Sequence, residues 1–160
     1  NQQRACDALE PLFLRAAFKV KRSDSIQQQM WEKWMLLATL ASITCLMRGN
    51  IGAIAKTQHG TGIIKSLLNE AGIIATSAGF APRPKFLQET STLLTDPASP
   101  MTSSMLRDIE KGIAIEADHI VGDLVRCGQR KDIATPLLNL ALTHLNVYEE
   151  RRRNWSLKSG

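Results

Sequence analysis

The feature that most constrains this sequence is a run of fourteen residues without a charge, from Trp34 to Met47. The polar side chains within it are the small hydroxyls of Thr39, Ser42 and Thr44. Such a segment must be buried nearly all round. It is nevertheless shorter than the roughly 20 apolar residues that span a membrane. The run therefore predicts the central helix of a soluble helical domain.

Signals at both ends bound this central helix. Ser25 and Gln28 have the spacing of a capping box at its start. Gly49 suits the left-handed residue that often closes a helix. Lys33 directly precedes the apolar run, so we expect its ammonium group at the rim of the core.

The composition favours helices in the rest of the chain as well. Apolar residues make up 44% of the sequence and aromatic residues only 5%, which favours helix packing over a β-sandwich. A length of 160 residues suits one domain, or one domain with a piece of another. We predict an all-α fold for most of the chain.

The net charge of +5 raises the question of nucleic-acid binding, which would need basic residues on one face and aromatic residues to stack on bases. The dense basic run is Arg151 to Arg153, and we interpret it as cations near a helix end with a solvated tail. We therefore expect no nucleic-acid partner. The sequence has no leader pattern, so we also expect no export and no membrane partner.

The cysteines indicate a reducing compartment. Cys6, Cys45 and Cys127 are an odd number, widely spaced and mostly within apolar helical patterns, as expected of reduced core thiols in a cytoplasmic protein. Cysteine and histidine nowhere have the spacing of metal ligands. We expect no metal.

Pattern and breaker residues predict the remaining elements. Residues 6–17 read as a short helix, in which Pro11 is tolerable only in the first turn, and Phe18 to Lys21 alternate apolar with basic as a half-exposed strand does. Further helices are predicted over about 63–78, from Pro82 and Pro84 to Leu94, from Thr102 or Ser103 to about Cys127, and from Thr135-Pro136 onward.

The helix predicted to end near Cys127 carries a carboxylate where an apolar residue is expected. Its apolar positions are Met105, Ile109, Ile113, Ile120, Leu124 and Cys127. Glu116 falls on the same face, and a buried carboxylate costs stability unless it is paired or used. One interpretation is a structural pair of Glu116 with Lys33 or Arg48. The other is that Lys33 and Glu116 face one cleft and transfer protons.

Several stretches occur together in an order that resembles a known family. They are Trp31-Glu32-Lys33-Trp34, Ala41 to Gly49, Ser103 to Gly112, Glu116-Ala117-Asp118, Gly122 and Thr135-Pro136. In this order they resemble the C-terminal helical domain of ketopantoate reductases (2-dehydropantoate 2-reductases), over roughly residues 24–150. The resemblance implies a helical bundle similar to the C-terminal domain of 6-phosphogluconate dehydrogenase.

The resemblance also implies a function and a set of site residues. Family members reduce a 2-oxo acid to a 2-hydroxy acid with NADPH, in the pathway of pantothenate biosynthesis, and an N-terminal Rossmann domain binds the cofactor. Lys33 would be the general acid that protonates the developing alkoxide. Ser104 would donate a hydrogen bond to the substrate, and Glu116 would orient the substrate, the lysine or the cofactor.

The domain boundaries follow from the same resemblance. Residues 1–23 would be the tail of a Rossmann domain that the chain lacks, residues 24–153 the substrate domain, and residues 154–160 a tail. We expect the Rossmann domain as a partner in cis and a homodimer as the assembly. Without that domain, this chain should be inactive and should bind NADPH weakly or not at all.

Geometry leaves the role of Glu116 open. On one straight helix, Ser104 and Glu116 would lie about 18 Å apart, which exceeds the length of a small oxo acid. Either the helix begins late or breaks near Gly112, or Glu116 serves something other than the part of the substrate that Ser104 touches.

The sequence departs from the family pattern at two positions. The family has asparagines four and eight residues after the lysine, and this chain has Leu37 and Ala41 there. Both positions share a helix face with Lys33. Ketopantoate is therefore in doubt as the substrate, and a 2-oxo acid or ketone with an apolar side chain is an alternative. A further alternative is a non-catalytic helical association module, in which Lys33 and Glu116 are only structural.

Overall fold

The computed structural model of the protein describes residues 2–15 and 22–158, and within these ranges it contains helices and no strand. The α-helices are α1 (Gln2–Leu14), α2 (Ile26–Met47), α3 (Ile51–Ala55), α4 (Gly60–Ser77), α5 (Pro84–Leu94), α6 (Ser104–Glu110), α7 (Asp123–Gln129) and α8 (Pro136–Lys158). A π-helix, Asp118–Gly122, leads directly into α7. The prediction of an all-α fold is confirmed. The predicted strand from Phe18 to Lys21 lies outside the described residues.

Helix α2 is the centre of the domain, as predicted. It contacts α3, α4, α5, α6, the π-helix and α8. Every residue from Ala38 to Cys45 is buried, and the three hydroxyl side chains within this stretch are fully buried with it. The ends of the run are more open, since Leu37 and Met47 are partly exposed.

At the start of α2, Ser25 is the N-cap residue as predicted but makes no capping hydrogen bond, and the predicted left-handed residue at the end is wrong. The Gln28 amide instead donates to Glu32 and to the Ala81 carbonyl, because it faces the segment between α4 and α5. At the other end Arg48, not Gly49, takes the left-handed conformation, with φ of 53°.

Two buried carboxylates fasten the helices around α2. Glu32 is 3% exposed and accepts hydrogen bonds from the backbone N–H and the guanidinium of Arg83, which precedes α5. Glu70 of α4 accepts the backbone N–H groups of Leu137 (3.0 Å) and Leu138 (2.9 Å). It therefore caps α8, whose first backbone N–H groups have no partner within the helix.

Helix α8 begins at Pro136, as predicted, but its start is not capped by Thr135. The hydroxyl of Thr135 has no hydrogen-bond partner among the described residues, because Glu70 takes the capping role. The buried positions are Leu138, Ala141 and Leu145, whereas the apolar side chain of Leu140 is 57% exposed.

The basic run also lies differently from the prediction. Helix α8 continues to Lys158, so Arg151 to Arg153 lie within the helix. Arg152 pairs with Glu149 at 3.0 Å and Arg153 lies 3.9 Å from Glu150.

The first helix and its cysteine also differ from expectation. Helix α1 begins at Gln2, so Pro11 lies in its interior and not in its first turn. The carbonyl of Asp7 loses its helical donor at Pro11, but this residue is exposed and water can replace the donor. Cys6 is exposed, so the expectation of a core thiol fails there, whereas Cys45 is buried and Cys127 half-buried.

The helix predicted from residue 103 to 127 is broken, which is the main correction. Helix α6 ends at Glu110, Gly112 adopts a φ of 72°, and helical structure resumes at Asp118. A φ in this region is easily adopted only by glycine. Ile113, expected in the core, is 49% exposed because it lies in the break.

Candidate functional site

One face of α2 forms the base of the site. Lys33, Leu37 and Ala41 follow one another at intervals of four residues, so they lie along the same face. Lys33 is exposed, Leu37 is partly exposed and Ala41 is buried. Within the part of the chain that the structure describes, the Lys33 ammonium has no hydrogen bond or ion pair.

A buried hydroxyl network places α6 beside α2. The Ser103 hydroxyl accepts the backbone N–H of Leu106 at 3.0 Å and so caps α6. It lies 2.8 Å from the Thr44 hydroxyl, which itself donates to the Leu40 carbonyl. The Ser103 proton therefore points to Thr44, and this chain of hydrogen bonds fixes the start of α6 on α2. Ser104, the first residue of α6, is held at the surface beside it.

The break after α6 carries Glu116 and is fastened by α8. The Tyr148 hydroxyl donates to the Ile113 carbonyl at 2.7 Å, and the Ile115 N–H donates to Glu149 at 2.9 Å. The hydrogen bond from Arg152 holds the pKa of Glu149 below its usual value, so this acceptor stays ionised. Glu116, the next residue, is exposed, and its carboxylate has no partner among the described residues.

The π-helix closes the far side of the site. The Trp34 indole N–H of α2 donates to the Ile120 carbonyl at 2.8 Å. Residues within a π-helix leave the ordinary spacing of backbone hydrogen bonds, and such segments are frequent at functional sites. The tryptophan therefore satisfies a backbone carbonyl and joins the π-helix to α2.

These elements enclose what we call the α2–α6 groove. It has a volume of about 330 Å³ and is lined by Leu37, Leu40, Ala41, Thr102, Ser103, Ser104, Met105, Arg107, Asp108, Glu116 and Ile120. Its size is at the lower end of the range of roughly 300–1,000 Å³ for small-molecule sites. Five segments of the chain contribute to this one concave surface: α2, residues 102–103, α6, the break that carries Glu116, and the π-helix. Such convergence is the arrangement expected of a ligand site.

The groove brings together two of the three residues that the sequence singled out. Ser104 and Glu116 both line it, together with Leu37 and Ala41. The break at Gly112 makes this possible, so the separation of about 18 Å along a straight helix does not apply. Lys33 lies one helical turn before Leu37 and is not among the lining residues.

Sequence reasoning missed Arg107, Asp108 and Thr102, which also line the groove. The signal was present for the first two, since residues three and four positions after Ser104 share its helix face. The Arg107 guanidinium donates to the Thr102 hydroxyl at 3.0 Å and approaches the Thr102 carbonyl at 3.4 Å.

A larger depression on the surface of α5 is less suited to chemistry than the α2–α6 groove. This depression of about 730 Å³ is lined by Lys85, Gln88, Glu89, Thr92, Leu93 and Asp96, which all follow one face of α5 and its end. No group from another element converges there.

Two further features are absent from the residues that the structure describes, 2–15 and 22–158. No cluster of three or more His, Cys, Asp or Glu side chains has the arrangement of a metal site. None of the described helices combines the length and apolar character needed to cross a bilayer.

Comparison with known proteins decides the family. The family model "Ketopantoate reductase PanE/ApbA C terminal" matches residues 25–149. The chain belongs to the ketopantoate reductase family. The matched range contains the whole α2–α6 groove and Lys33, so the groove is part of the ketopantoate reductase C-terminal domain.

Relatives of this ketopantoate reductase domain agree in extent. An uncharacterized oxidoreductase, YkpB, of Bacillus subtilis is 31% identical over 145 residues, which are 91% of this chain and 48% of that protein. The chain spans about half the length of the curated relatives it matches.

Solved structures share the fold. A dimeric ketopantoate reductase from Staphylococcus aureus superposes with a TM-score of 0.79 at 20% identity, covering 94% of this chain and 51% of the other. D-mandelate dehydrogenase, in a ternary structure with NADH and anilino(oxo)acetate, gives 0.72 at 21% identity, covering 94% and 61%. The expected helical architecture is thereby confirmed.

Proposed function

We propose that this chain is the substrate domain of a nicotinamide-dependent 2-oxo acid reductase. The observation that carries the proposal is the α2–α6 groove, which Ser104 and Glu116 line together with Leu37 and Ala41, two residues on the same helix face as Lys33. All three groups lack partners within the described residues. Polar groups at a protein surface that are positioned but unpaired are suited to a ligand.

Each residue has one role in the proposal. Lys33 donates the proton that the substrate oxygen takes up as the carbonyl becomes a hydroxyl. Ser104 donates a hydrogen bond that positions the substrate. Glu116 orients the substrate or the lysine from the opposite side of the groove, where the fastening of residues 113–115 to α8 holds it in place.

The hydride for this reaction comes from a reduced nicotinamide, NADPH by the family resemblance. Gly52 and Gly60, which lie after the central helix, do not leave room for a pyrophosphate group. A Cβ atom on Gly52 would lie 2.6 Å from the Ser99 carbonyl oxygen, and one on Gly60 would lie 1.8 Å from the Ile54 carbonyl oxygen. The space beside both glycines is therefore occupied by the protein's own backbone. Cofactor binding is therefore assigned to the part of the longer protein outside this chain, a Rossmann domain in cis.

The groove favours a substrate with an apolar side chain. Leu37 and Ala41 offer no hydrogen bond where the family offers amides, and Leu40, Met105 and Ile120 extend the apolar surface. An apolar pocket discriminates against an added hydroxyl by only about 10²-fold, and ketopantoate carries such a hydroxyl. The D-mandelate dehydrogenase structure supports the proposal, because its bound anilino(oxo)acetate is an oxo acid with an aromatic body.

The partners follow from the same proposal. Helix α1 exposes Leu9, Leu12 and Leu14, which gives the rest of the Rossmann domain, to which this helix would belong, an apolar surface to pack against. We propose a cytoplasmic homodimer, supported by the dimeric ketopantoate reductase from S. aureus. A strict monomer in sedimentation of the full-length protein would contradict the dimer.

A substrate panel on the full-length enzyme tests the function. With NADPH, 2-oxo acids that have branched apolar side chains should give a higher kcat/KM than ketopantoate. Lys33→Met should lower kcat by about 10²- to 10⁴-fold, the usual contribution of a general acid. Lys65→Met, at an exposed position on α4, is the matched control and should not change turnover.

Two results would count against the proposal. If ketopantoate gives the highest kcat/KM, the inference from Leu37 and Ala41 is wrong. If Lys33→Met turns over at the wild-type rate, the chain is an association module or uses another acid.

A further inference from the structure

Arg107 is the basic residue among the side chains that line the α2–α6 groove. It follows Ser104 by three residues on α6, so both side chains leave the same helix face. It forms no ion pair with a carboxylate in the described part of the chain, although Asp108 and Glu116 line the same groove.

The contacts with Thr102 hold the Arg107 guanidinium in place but leave most of its N–H donors available. The contacts with the hydroxyl and carbonyl of Thr102 employ one nitrogen, Nη1. An arginine has five N–H donors in a planar fork, and the fork matches the two oxygens of a carboxylate. The contact with Thr102 restricts the side chain beforehand, so less rotamer freedom is lost when an anion binds.

A 2-oxo acid brings a carboxylate that needs such a partner. Leu37 and Ala41 supply no donor, and the donor side chains that line the groove lie on α6 and in the segment just before it. An unpaired carboxylate that loses its water costs several kcal/mol in general, which makes an apolar groove without a cation a poor site for an acid.

We propose that Arg107 binds the substrate carboxylate together with Ser104, and that Thr102 is the positioning residue for its guanidinium. The substrate then lies with its acid group toward the start of α6 and its side chain toward Leu37, Ala41 and Ile120. This assignment rests on the proposed function, and it makes the enzyme selective for oxo acids over neutral ketones.

The test compares an acid with its neutral analogue in the full-length enzyme. The pair is 2-oxo-3-methylbutanoate and 2-oxo-3-methylbutanamide, which differ in charge and little in shape. Arg107→Met should raise KM for the acid by about 10- to 150-fold, the range that charged hydrogen bonds contribute, and should change kcat less. KM for the amide should stay within about twofold, because the amide makes no ion pair.

Three further variants sharpen the result. Arg107→Lys keeps the charge but loses the fork, so KM for the acid should lie between wild type and Arg107→Met. Thr102→Val should raise KM for the acid by less than Arg107→Met does, and should leave KM for the amide unchanged. Lys111 is an exposed cation after α6 that does not line the groove, so Lys111→Met should leave KM unchanged for both substrates.

A binding measurement separates this inference from the proposed function. Calorimetry with the product acid, 2-hydroxy-3-methylbutanoate, should show weaker binding to Arg107→Met than to wild type, whether or not turnover is seen. If wild type reduces the acid and Arg107→Met has an unchanged KM, or if acid and amide lose equally, Arg107 does not bind the carboxylate while the reductase proposal stands. If wild type neither reduces nor binds these acids, both are overturned.

Discussion

The two sides of α2 treat their charged residues differently. On the side of α4, α5 and α8, Glu32 and Glu70 are buried and each accepts several hydrogen bonds. On the side of the α2–α6 groove, Lys33 and Glu116 are exposed and have no partner in the described residues. The difference indicates that the first pair holds the fold together, whereas the second is available to a ligand. Substitutions on the two sides should therefore differ in their effect on stability.

The largest stability effect is expected for Glu70→Ala. Two N–H donors at the start of α8, one of them on the fully buried Leu138, lose their acceptor. Buried donors without partners cost about 1–3 kcal/mol each, so we expect a loss of about 2–4 kcal/mol in the free energy of unfolding. Urea unfolding of the 160-residue chain measures it, with Asn69→Ala at the exposed neighbouring position as control. A loss below that of the control would contradict the capping role.

Glu32→Ala should cost less, about 1–3 kcal/mol, because Arg83 is half exposed and water can solvate it after the change. Hydrogen bonds from Arg83 hold the pKa of Glu32 below its ordinary value of 4.5. A lowered pKa stabilises the fold above that ordinary value, and the contribution is lost as the pH falls toward the lowered pKa.

The difference between wild type and Glu32→Ala should therefore be full at pH 7 and shrink below pH 4.5. Urea unfolding at pH 7 and at acid pH measures both. Glu89→Ala, which removes an exposed partner 3.8 Å from Lys85, is the matched control and should cost less than about 0.5 kcal/mol. A pH-independent difference would show that packing, not charge, is responsible.

Gly112→Ala tests the boundary between the two sides. No atom lies within 4 Å of the position that a Cβ atom would take, so the cost is the left-handed backbone alone, with φ of 72°. We expect a loss of about 1–2 kcal/mol. Gly62→Ala is a suitable comparison, because that site is also open but lies in α4 without a positive φ, and this change should stabilise or be neutral.

The smallest stability effects should come from the groove itself. Lys33→Met and Glu116→Gln should change the free energy of unfolding by less than about 0.5 kcal/mol, as surface substitutions usually do. The same variants should impair the full-length enzyme. If either one unfolds the chain as readily as Glu32→Ala does, the contrast between the two sides of α2 is lost.

The sequence predicted the central helix, the C-terminal ends of α4 and α5, the start of α8 and the family, because each depends on local signals or on an ordered motif. It failed between Ser104 and Gln129, where the apolar positions continue in helical register although the chain leaves the helix at Gly112. Periodicity alone does not register a left-handed glycine. The breaking tendency of Gly112 was visible, but only the structure shows that the chain uses it.

The site was predicted in part for the same reason. Ser104 and Glu116 came from the family motif, and the groove that joins them depends on the break. The sequence places Arg107 on the same helix face as Ser104, but only the structure shows that both line one groove and that no described acidic side chain pairs with Arg107. The hydrogen bond from the Ile115 N–H to Glu149 joins residues 34 positions apart, and no local sequence pattern predicts it.

The π-helix that receives the Trp34 hydrogen bond determines the rotation of the segment before it about the helix axis. An α-helix turns by about 100° for each residue, and a π turn accommodates one residue more than an α turn does. Leu124 and Val125 anchor α7 in the core, so the orientation of α7 is fixed. Residues 118–122 therefore determine how the segment before Asp118, which carries Glu116, is rotated about the helix axis relative to α7. One residue fewer there would turn the preceding segment by about 100° and carry Glu116 away from Ser104, although every side chain of the site would still be present.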